Sequence, residues 1–211
     1  MTKTVIITGT SRGLGLATAN YFAQRDWHVI GTSRSPRASE LDQAVDYHQL
    51  DGSDHDAVKT LWQSLKLPTG DICLVNNAGG YAGGKLLKTQ LDDYETQLRI
   101  NYLTAVYMTR EFIAHVKTAR IINVISAAAL NTHADDGAYG ASKTAEMRFF
   151  HSLQKEYAHT QYCITNLYPS AIATYGPGDG AIKPDDLAEF IHYQATTPSS
   201  YYLADVTMYA R

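Results

Sequence analysis

The sequence predicts an α/β protein with one doubly wound, mostly parallel seven-stranded sheet and helices on both faces. Three observations point there. Short apolar runs alternate with segments of helical spacing from end to end, which is the βαβ pattern of a parallel sheet. The runs are apolar on successive residues, as in strands buried on both faces. No internal repeat, low-complexity tract or linker divides the 211 residues, so residues 1–211 read as a single domain. Right-handed crossovers in such a sheet place binding sites at the C-terminal strand ends.

The elements follow in order. Thr4-Val5-Ile6-Ile7-Thr8 is the first strand, and Leu14 to Gln24 continues with helical spacing. His28 to Thr32 is the second strand; Val45 to Leu50, less apolar, is the third. Asp54 is a good N-cap for a helix over Ala57 to Leu65, with Asp56 in its first turn, where the helix dipole favours negative charge. Ile72 to Val75 is the fourth strand, before a glycine-rich loop and one long helical pattern from Asp92 to about Val116. Arg120 to Ser126 is the fifth strand, Tyr139 to about Tyr157 a helix, and Tyr162 to Tyr168 the sixth strand. Pro184-Asp185-Asp186 reads as a proline at the first helical position with an acidic first turn. That helix runs to about Gln194, before a last strand near Tyr201 to Tyr209.

Composition narrows the function. The chain is 45% hydrophobic and 18% charged, with a net charge of −3, which is globular composition without the basic excess of a nucleic-acid binder. No apolar run approaches a membrane span, and Thr4 to Ile7 is too short an apolar core for a signal peptide. Cys73 and Cys163 sit among apolar residues in predicted strands, the pattern of reduced core cysteines in a cytoplasmic protein. Eight histidines show no metal-ligand spacing.

The first strand runs through Thr8-Gly9-Thr10-Ser11-Arg12-Gly13-Leu14-Gly15 into a helix. Gly9 permits the tight turn, Gly13 lets backbone approach a pyrophosphate, and Gly15 allows close helix–strand packing. The helix N-terminus offers N–H donors to phosphates. The spacing is G-x-x-x-G-x-G, not G-x-G-x-x-G. Gly9 to Gly13 also satisfies the G-x-S-x-G elbow of hydrolases, but that motif needs strands upstream and eight residues precede Gly9. A P-loop would need Gly-Lys-[Ser/Thr] at its end, which is missing.

The second strand ends Gly31-Thr32-Ser33-Arg34 without the acidic residue that accepts the ribose 2′-OH of NAD. Arg12 and Arg34 instead suit a 2′-phosphate, because guanidinium pairs with phosphate oxygens. The expected cofactor is NADP(H).

Tyr139 and Lys143 stand at i and i+4 on a predicted helix, one above the other. A cation about 5 Å from a phenolate, at an effective dielectric near 20, favours it by about 3 kcal/mol. That suits a tyrosine to general acid/base work. Reduction of a carbonyl also needs a donor at the oxygen that becomes negative, and Ser126 reaches the same rim of the sheet. A second Tyr-x-x-x-Lys, Tyr81 to Lys85, lies in a glycine-rich loop, where helical register does not hold.

With these residues in place the chain resembles the short-chain dehydrogenase/reductase family, from Thr8 to about Thr174. Thr8 to Gly15 is similar to its TGxxxGxG turn and Asn76-Asn77-Ala78-Gly79 to its NNAG motif. Asn101, Ser126, Tyr139 and Lys143 match its catalytic tetrad, and the Ser-to-Tyr interval of 13 agrees. The resemblance implies a Rossmann fold with strand order 3-2-1-4-5-6-7, and a hydride transfer between the nicotinamide and a carbonyl or secondary alcohol. Tyr139 would be the general acid/base, Lys143 would assist it and bind the nicotinamide ribose, and Ser126 would hold the substrate oxygen. Asn101 would anchor a water leading from Lys143 to solvent. It further implies that Asp51 and Gly52 contact adenine, that Asn77, Ala78 and Gly79 line the adenosine ribose, and that Ser11 and Leu14 belong to the cofactor turn. Pro169, Ile172 and Thr174 would face the carboxamide and phosphates.

There are departures. Ser170 stands where the family has glycine, and a positive φ there would be strained. Ala129 replaces another frequent glycine. Residues 175–183 form a shortened substrate loop, so an open site is expected. The last strand lacks the family's glycine-rich ending. An idle NADP(H)-binding sensor on the same fold is the alternative function. An epimerase or dehydratase relative would need a second domain, for which 211 residues leave no room. A homodimer or homotetramer is implied, through the helices containing Asn101 and Tyr139.

Overall fold

The computed structural model describes residues 3–68, 70–173, 180–197 and 200–211. Within them lie seven strands: β1 Thr4–Thr8, β2 His28–Ser33, β3 Asp46–Gln49, β4 Ile72–Asn76, β5 Ala119–Val124, β6 Tyr162–Pro169 and β7 Asp205–Met208. They pair in the order β3-β2-β1-β4-β5-β6-β7, every pair parallel. The sheet is therefore the expected one.

The successive apolar residues of the strands divide between two cores. Val5, Ile7, Val29, Val75, Val124 and Leu167 face one side and pack with Phe22 of helix α1 (Gly13–Ala23) and Ile191 of the C-terminal helix Pro184–Thr196. Ile6, Ile30, Leu74, Ile121 and Ile164 face the other, against Trp62 of α2 (His55–Ser64). On that side they also meet Phe112 of α4 (Thr104–His115) and Phe150 of α5 (Gly137–Glu156). The helix Pro184–Thr196 is α6, and α3 is Leu91–Gln97. Residues of both parities are buried, as the unbroken hydrophobicity demands.

Asp54 caps α2 by accepting from the amides of Asp56 (3.0 Å) and Ala57 (3.1 Å), and Pro184 opens α6. The pattern from Asp92 to Val116 is not one α-helix. α3 passes into a π-helical segment, Leu98–Leu103, before α4 resumes. Hydrophobic spacing over 25 residues does not register a widened turn, which shifts the helix face by one residue. β5 stops at Val124, and Ser126 instead caps a short 3₁₀ turn, Ala127–Ala129. Cys73 is buried and its thiol pushed up to about 12 by burial; Cys163 is only half-buried. Arg120 lies between the two in register, so two strand spacings, about 9.6 Å, separate them. A disulfide cannot span that, and both are free thiols.

An amide ladder crosses four strands. Asn76 Nδ2 donates to Asn123 Oδ1 (2.9 Å), Asn123 Nδ2 to Asn166 Oδ1 (2.9 Å), and Asn166 Nδ2 to Asp205 Oδ1 (3.1 Å). The three asparagines are buried, each opposite the next in register. Replacing Asn123 by Ala leaves Asn166 Oδ1 and one Asn76 N–H without their partners. The expected loss is about 2–4 kcal/mol, read from the urea unfolding midpoint.

Candidate functional site

The turn between β1 and α1 takes its shape from glycine. Gly9 has φ +78°, a conformation that disfavours other residues. A Cβ on Gly15 would stand 2.1 Å from the carbonyl oxygen of Gly9, so α1 sits directly on the turn, as expected of that position. Thr8 ties the turn to the loop after β4. Its Oγ1 accepts the amides of Asn77 (3.0 Å) and Ala78 (2.9 Å), while Asn77 Nδ2 donates to the Thr8 carbonyl (2.9 Å).

A cavity of about 1130 Å³ runs along the C-terminal ends of the strands. At one end it is lined by Gly9, Ser11, Arg12, Leu14 and Gly15 of the first turn, and by Arg34 after β2. Asp51 and Gly52 line it beyond β3, and Asn77, Ala78 and Gly79 its middle. Ser126, Tyr139, Lys143, Pro169 and Ile172 line the other end. Gly13, the first residue of α1 at φ +54°, is not in the wall. Asn101 is fully buried behind it. Thr174 and residues 175–179 of the short loop lie outside the described residues; of its remainder, Ile182 pairs with Ile172.

The first end suits a diphosphate. α1 has no side-chain cap and no acidic residue in its first turn, so its leading amides and positive dipole end meet the cavity. Burial disfavours the Asp51 charge, but Ser53, Arg34 and Arg99 outweigh it and hold the carboxyl below its usual range. This donor set fits a phosphorylated dinucleotide.

At the far end each side chain has a defined support. Ser126 Oγ accepts the Ala128 amide at 3.1 Å, which leaves its own O–H to donate elsewhere. Lys143 Nζ, on a side chain 4% exposed, donates to Glu146 Oε2 at 2.8 Å and to the Val124 carbonyl at 3.3 Å. Burial works against its charge, but Glu146, helped by Tyr139, holds the ammonium above its usual range. Asn101 is a tether. Its Nδ2 has three acceptors within reach of its two hydrogens, Ser142 Oγ (2.9 Å), Gln97 Oε1 (3.1 Å) and the Gly80 carbonyl (3.1 Å), and its Oδ1 accepts the Gly80 amide (2.8 Å). The π segment thus joins the loop after β4 to α5.

Ser170 is not strained: among the described residues Asp26 is the only non-glycine at positive φ. Its Oγ accepts the Ala210 amide at 3.0 Å and so holds the C-terminal residues beside the cavity, where Tyr209 joins the lining.

Several lining residues escaped the motifs. Tyr81 is in a loop and its spacing to Lys85 is not helical, yet its ring packs edge-on to that of Tyr139, centroids 5.1 Å apart. Its hydroxyl donates to Asp136 Oδ1 at 3.0 Å, and that bond pushes the phenol up. Asn131, His133 and Tyr209 complete this mouth. Glu146 did carry a signal: it interrupts the buried stripe Ala138, Ser142, Phe150, Leu153 of α5 with a charge.

The fold and this cavity are those of a nucleotide-dependent oxidoreductase, and the chain belongs to the short chain dehydrogenase family, whose profile matches residues 3–178. It is 28% identical over 231 positions to the NADP-dependent 3-hydroxy acid dehydrogenase YdfG of Salmonella typhi, covering 97% of this chain and 93% of that one. It is 30% identical over 190 positions to the benzil reductase ((S)-benzoin forming) of Bacillus cereus, covering 82% and 74%. Among solved structures, serine dehydrogenase from Escherichia coli superposes with a TM-score of 0.86 at 27% identity, covering 97% and 96%. The closed form of serine dehydrogenase complexed with NADP+ gives 0.88 at 25% identity, covering 97% and 94%.

Proposed function

We propose that the chain is an NADP(H)-dependent oxidoreductase interconverting a carbonyl and a secondary alcohol, with Tyr139 as general acid/base. The observation that carries this is one cavity holding Ser126, Tyr139 and Lys143 at one end and the glycine turn with Arg12 and Arg34 at the other. YdfG, NADP-dependent by name, and the NADP+-bound serine dehydrogenase support the cofactor.

NADPH, when bound, supplies the hydride. The turn residues Gly9, Ser11, Leu14 and Gly15 would receive its diphosphate, with Gly13 shaping the turn from behind the wall, while Arg12 and Arg34 would hold its 2′-phosphate and Asp51 and Gly52 its adenine. Asn77, Ala78 and Gly79 would border the adenosine ribose, and Pro169 and Ile172 would face the nicotinamide end; the same role is proposed for Thr174, which lies outside the described residues. The Ser126 hydroxyl donates to the substrate oxygen and Tyr139 O–H protonates it as negative charge develops there. Lys143 favours the phenolate left behind and holds the nicotinamide-ribose hydroxyls. Asn101 keeps α5 at a fixed distance from the loop after β4 and anchors the water that reprotonates the site.

Two copies of the chain pair through the helices carrying Asn101 and Tyr139; the exposed Leu91 and Leu98, on the helix that leads to Asn101, support an apolar contact there. The free thiols support a cytoplasmic setting.

The test is a fluorescence titration with NADPH and with NADH, followed by turnover of NADPH with aldehydes and ketones. Selective NADPH binding with turnover is the expected result; binding without turnover of any carbonyl would leave an idle sensor. Arg12→Ala and Arg34→Ala each remove a charge-assisted contact worth about 1.5–3 kcal/mol. Each is expected to weaken NADPH about 10- to 100-fold and leave NADH nearly unchanged. Equal loss for both cofactors would overturn the phosphate assignment.

A further inference from the structure

The pair Lys143–Glu146 is placed where neither charge is easily kept. The two side chains are 4% and 2% exposed, and 2.8 Å separates Nζ from Oε2. Replacing such a buried pair with apolar residues is often neutral or stabilising, so stability alone is a weak reason for it. The helix geometry offers another. Side chains on a helix lean toward its N-terminus, each over the preceding turn. The Glu146 carboxylate therefore reaches back to Lys143, and Lys143 reaches back toward Tyr139, on one face of α5 that ends in the cavity.

Among the described residues, Nζ has one further acceptor, the neutral carbonyl of Val124 at 3.3 Å. Gly79 lies alongside: a Cβ there would be 3.6 Å from Nζ and 2.7 Å from Asn101 Oδ1. Glu146 thus supplies the counter-charge to an ammonium otherwise surrounded by neutral groups. The other titratable groups facing the pair are Tyr139 on α5 and Tyr168 on β6, the latter pushed up by burial first, then Asp205, with a small contribution from Glu146.

We propose that Glu146 is a positioning residue, whose carboxylate fixes the Lys143 ammonium beside Tyr139 and keeps it a cation within the buried site. It rests on the roles given above to Tyr139 and Lys143, but not on turnover. Glu146 is not in the cavity wall and acts through Lys143, which is. Burial lifts its own carboxyl while Lys143 pulls it back, so the pair stands as carboxylate and ammonium between their two titrations.

Without the carboxylate, only Tyr139 is left to oppose burial, and the balance at Lys143 moves toward the neutral amine. The proton then leaves at lower pH, and the basic limb of the pH–rate profile moves down with it.

The experiment is a titration of cofactor-free protein labelled with [13Cε]lysine, with the Lys143 resonance assigned by its loss in Lys143→Arg. Wild type is expected to titrate above ordinary lysine, and Glu146→Gln at least one pH unit below wild type. Glu146→Asp, which keeps the charge, is expected to stay within half a unit of wild type while lowering kcat. Equal midpoints for wild type and Glu146→Gln would overturn the proposal. If Glu146→Gln does not fold, a wild-type midpoint below ordinary lysine, or an Asp variant at least one unit below wild type, overturns it equally. A pH profile of kcat/KM completes the test. Its basic limb should move with the resonance, whereas absence of wild-type turnover would count against the proposed function and leave the resonance result standing.

Discussion

Tyr139→Phe is expected to cut NADPH-dependent carbonyl reduction by about 10²–10⁴ in kcat, the usual contribution of a positioned general acid. The Kd for NADPH should stay within about threefold, since the ring keeps its edge-on packing with Tyr81 and only the hydroxyl goes. The fold should not suffer, because Tyr139 is half-buried and its carbonyl, not its hydroxyl, accepts from Ser142 at 2.7 Å. Steady-state turnover with the best carbonyl found, beside a fluorescence titration, checks both. Full turnover in a variant that binds NADPH would dismiss the tyrosine mechanism.

Gly15→Ala has the opposite signature. The new methyl would sit 2.1 Å from the Gly9 oxygen and 2.5 Å from Asn77 Nδ2. The second is a side chain that can give way, but the first is backbone in the cofactor turn, so the start of α1 must back away from the turn. Overpacking of this kind costs about 1–3 kcal/mol, and the displaced amides lose their aim at the diphosphate. The expected result is a lower thermal midpoint with NADPH affinity down about tenfold or more. Wild-type affinity at a lowered midpoint would show that the turn recovers its shape when the cofactor binds.

The fold was legible because both of its signals are local. Strands buried on two faces must be apolar at every residue, and Val5, Ile6 and Ile7 are, so the parallel sheet was readable before any motif. Caps are equally local: Asp54 and Pro184 mark helix starts with their own side chains. The turn residues and the Tyr139–Lys143 pair were legible for the same reason, as fixed spacings within one turn or one helix face. What escaped depends on geometry between elements. The π segment at Leu98–Leu103 changes a hydrogen-bond ladder but not the hydrophobic spacing of its residues. Tyr81 reaches Tyr139 across 58 residues of chain, and Asn101 meets Gly80 and Ser142 from a third element; no spacing encodes either meeting. Glu146 was the exception that could have been found, since a charge in the apolar stripe of α5 is visible in the sequence.

The amide ladder changes what the outer edge of the sheet can do. β7 is only four residues long and alternates between exposed and half-buried positions, a strand that would ordinarily fray by itself. Yet Asp205 receives Asn166 and, at 2.9 Å, the hydroxyl of Tyr168, and Asn166 continues through Asn123 to Asn76, the residue before Asn77. Peeling β7 away would take the Asp205 acceptor from the buried Asn166 and Tyr168, so opening the edge leaves a buried amide hydrogen unpaired next to the core of the sheet. The C-terminal wall of the cavity, which Tyr209 helps to form, is therefore pinned by a buried polar bond that a bare edge strand would lack.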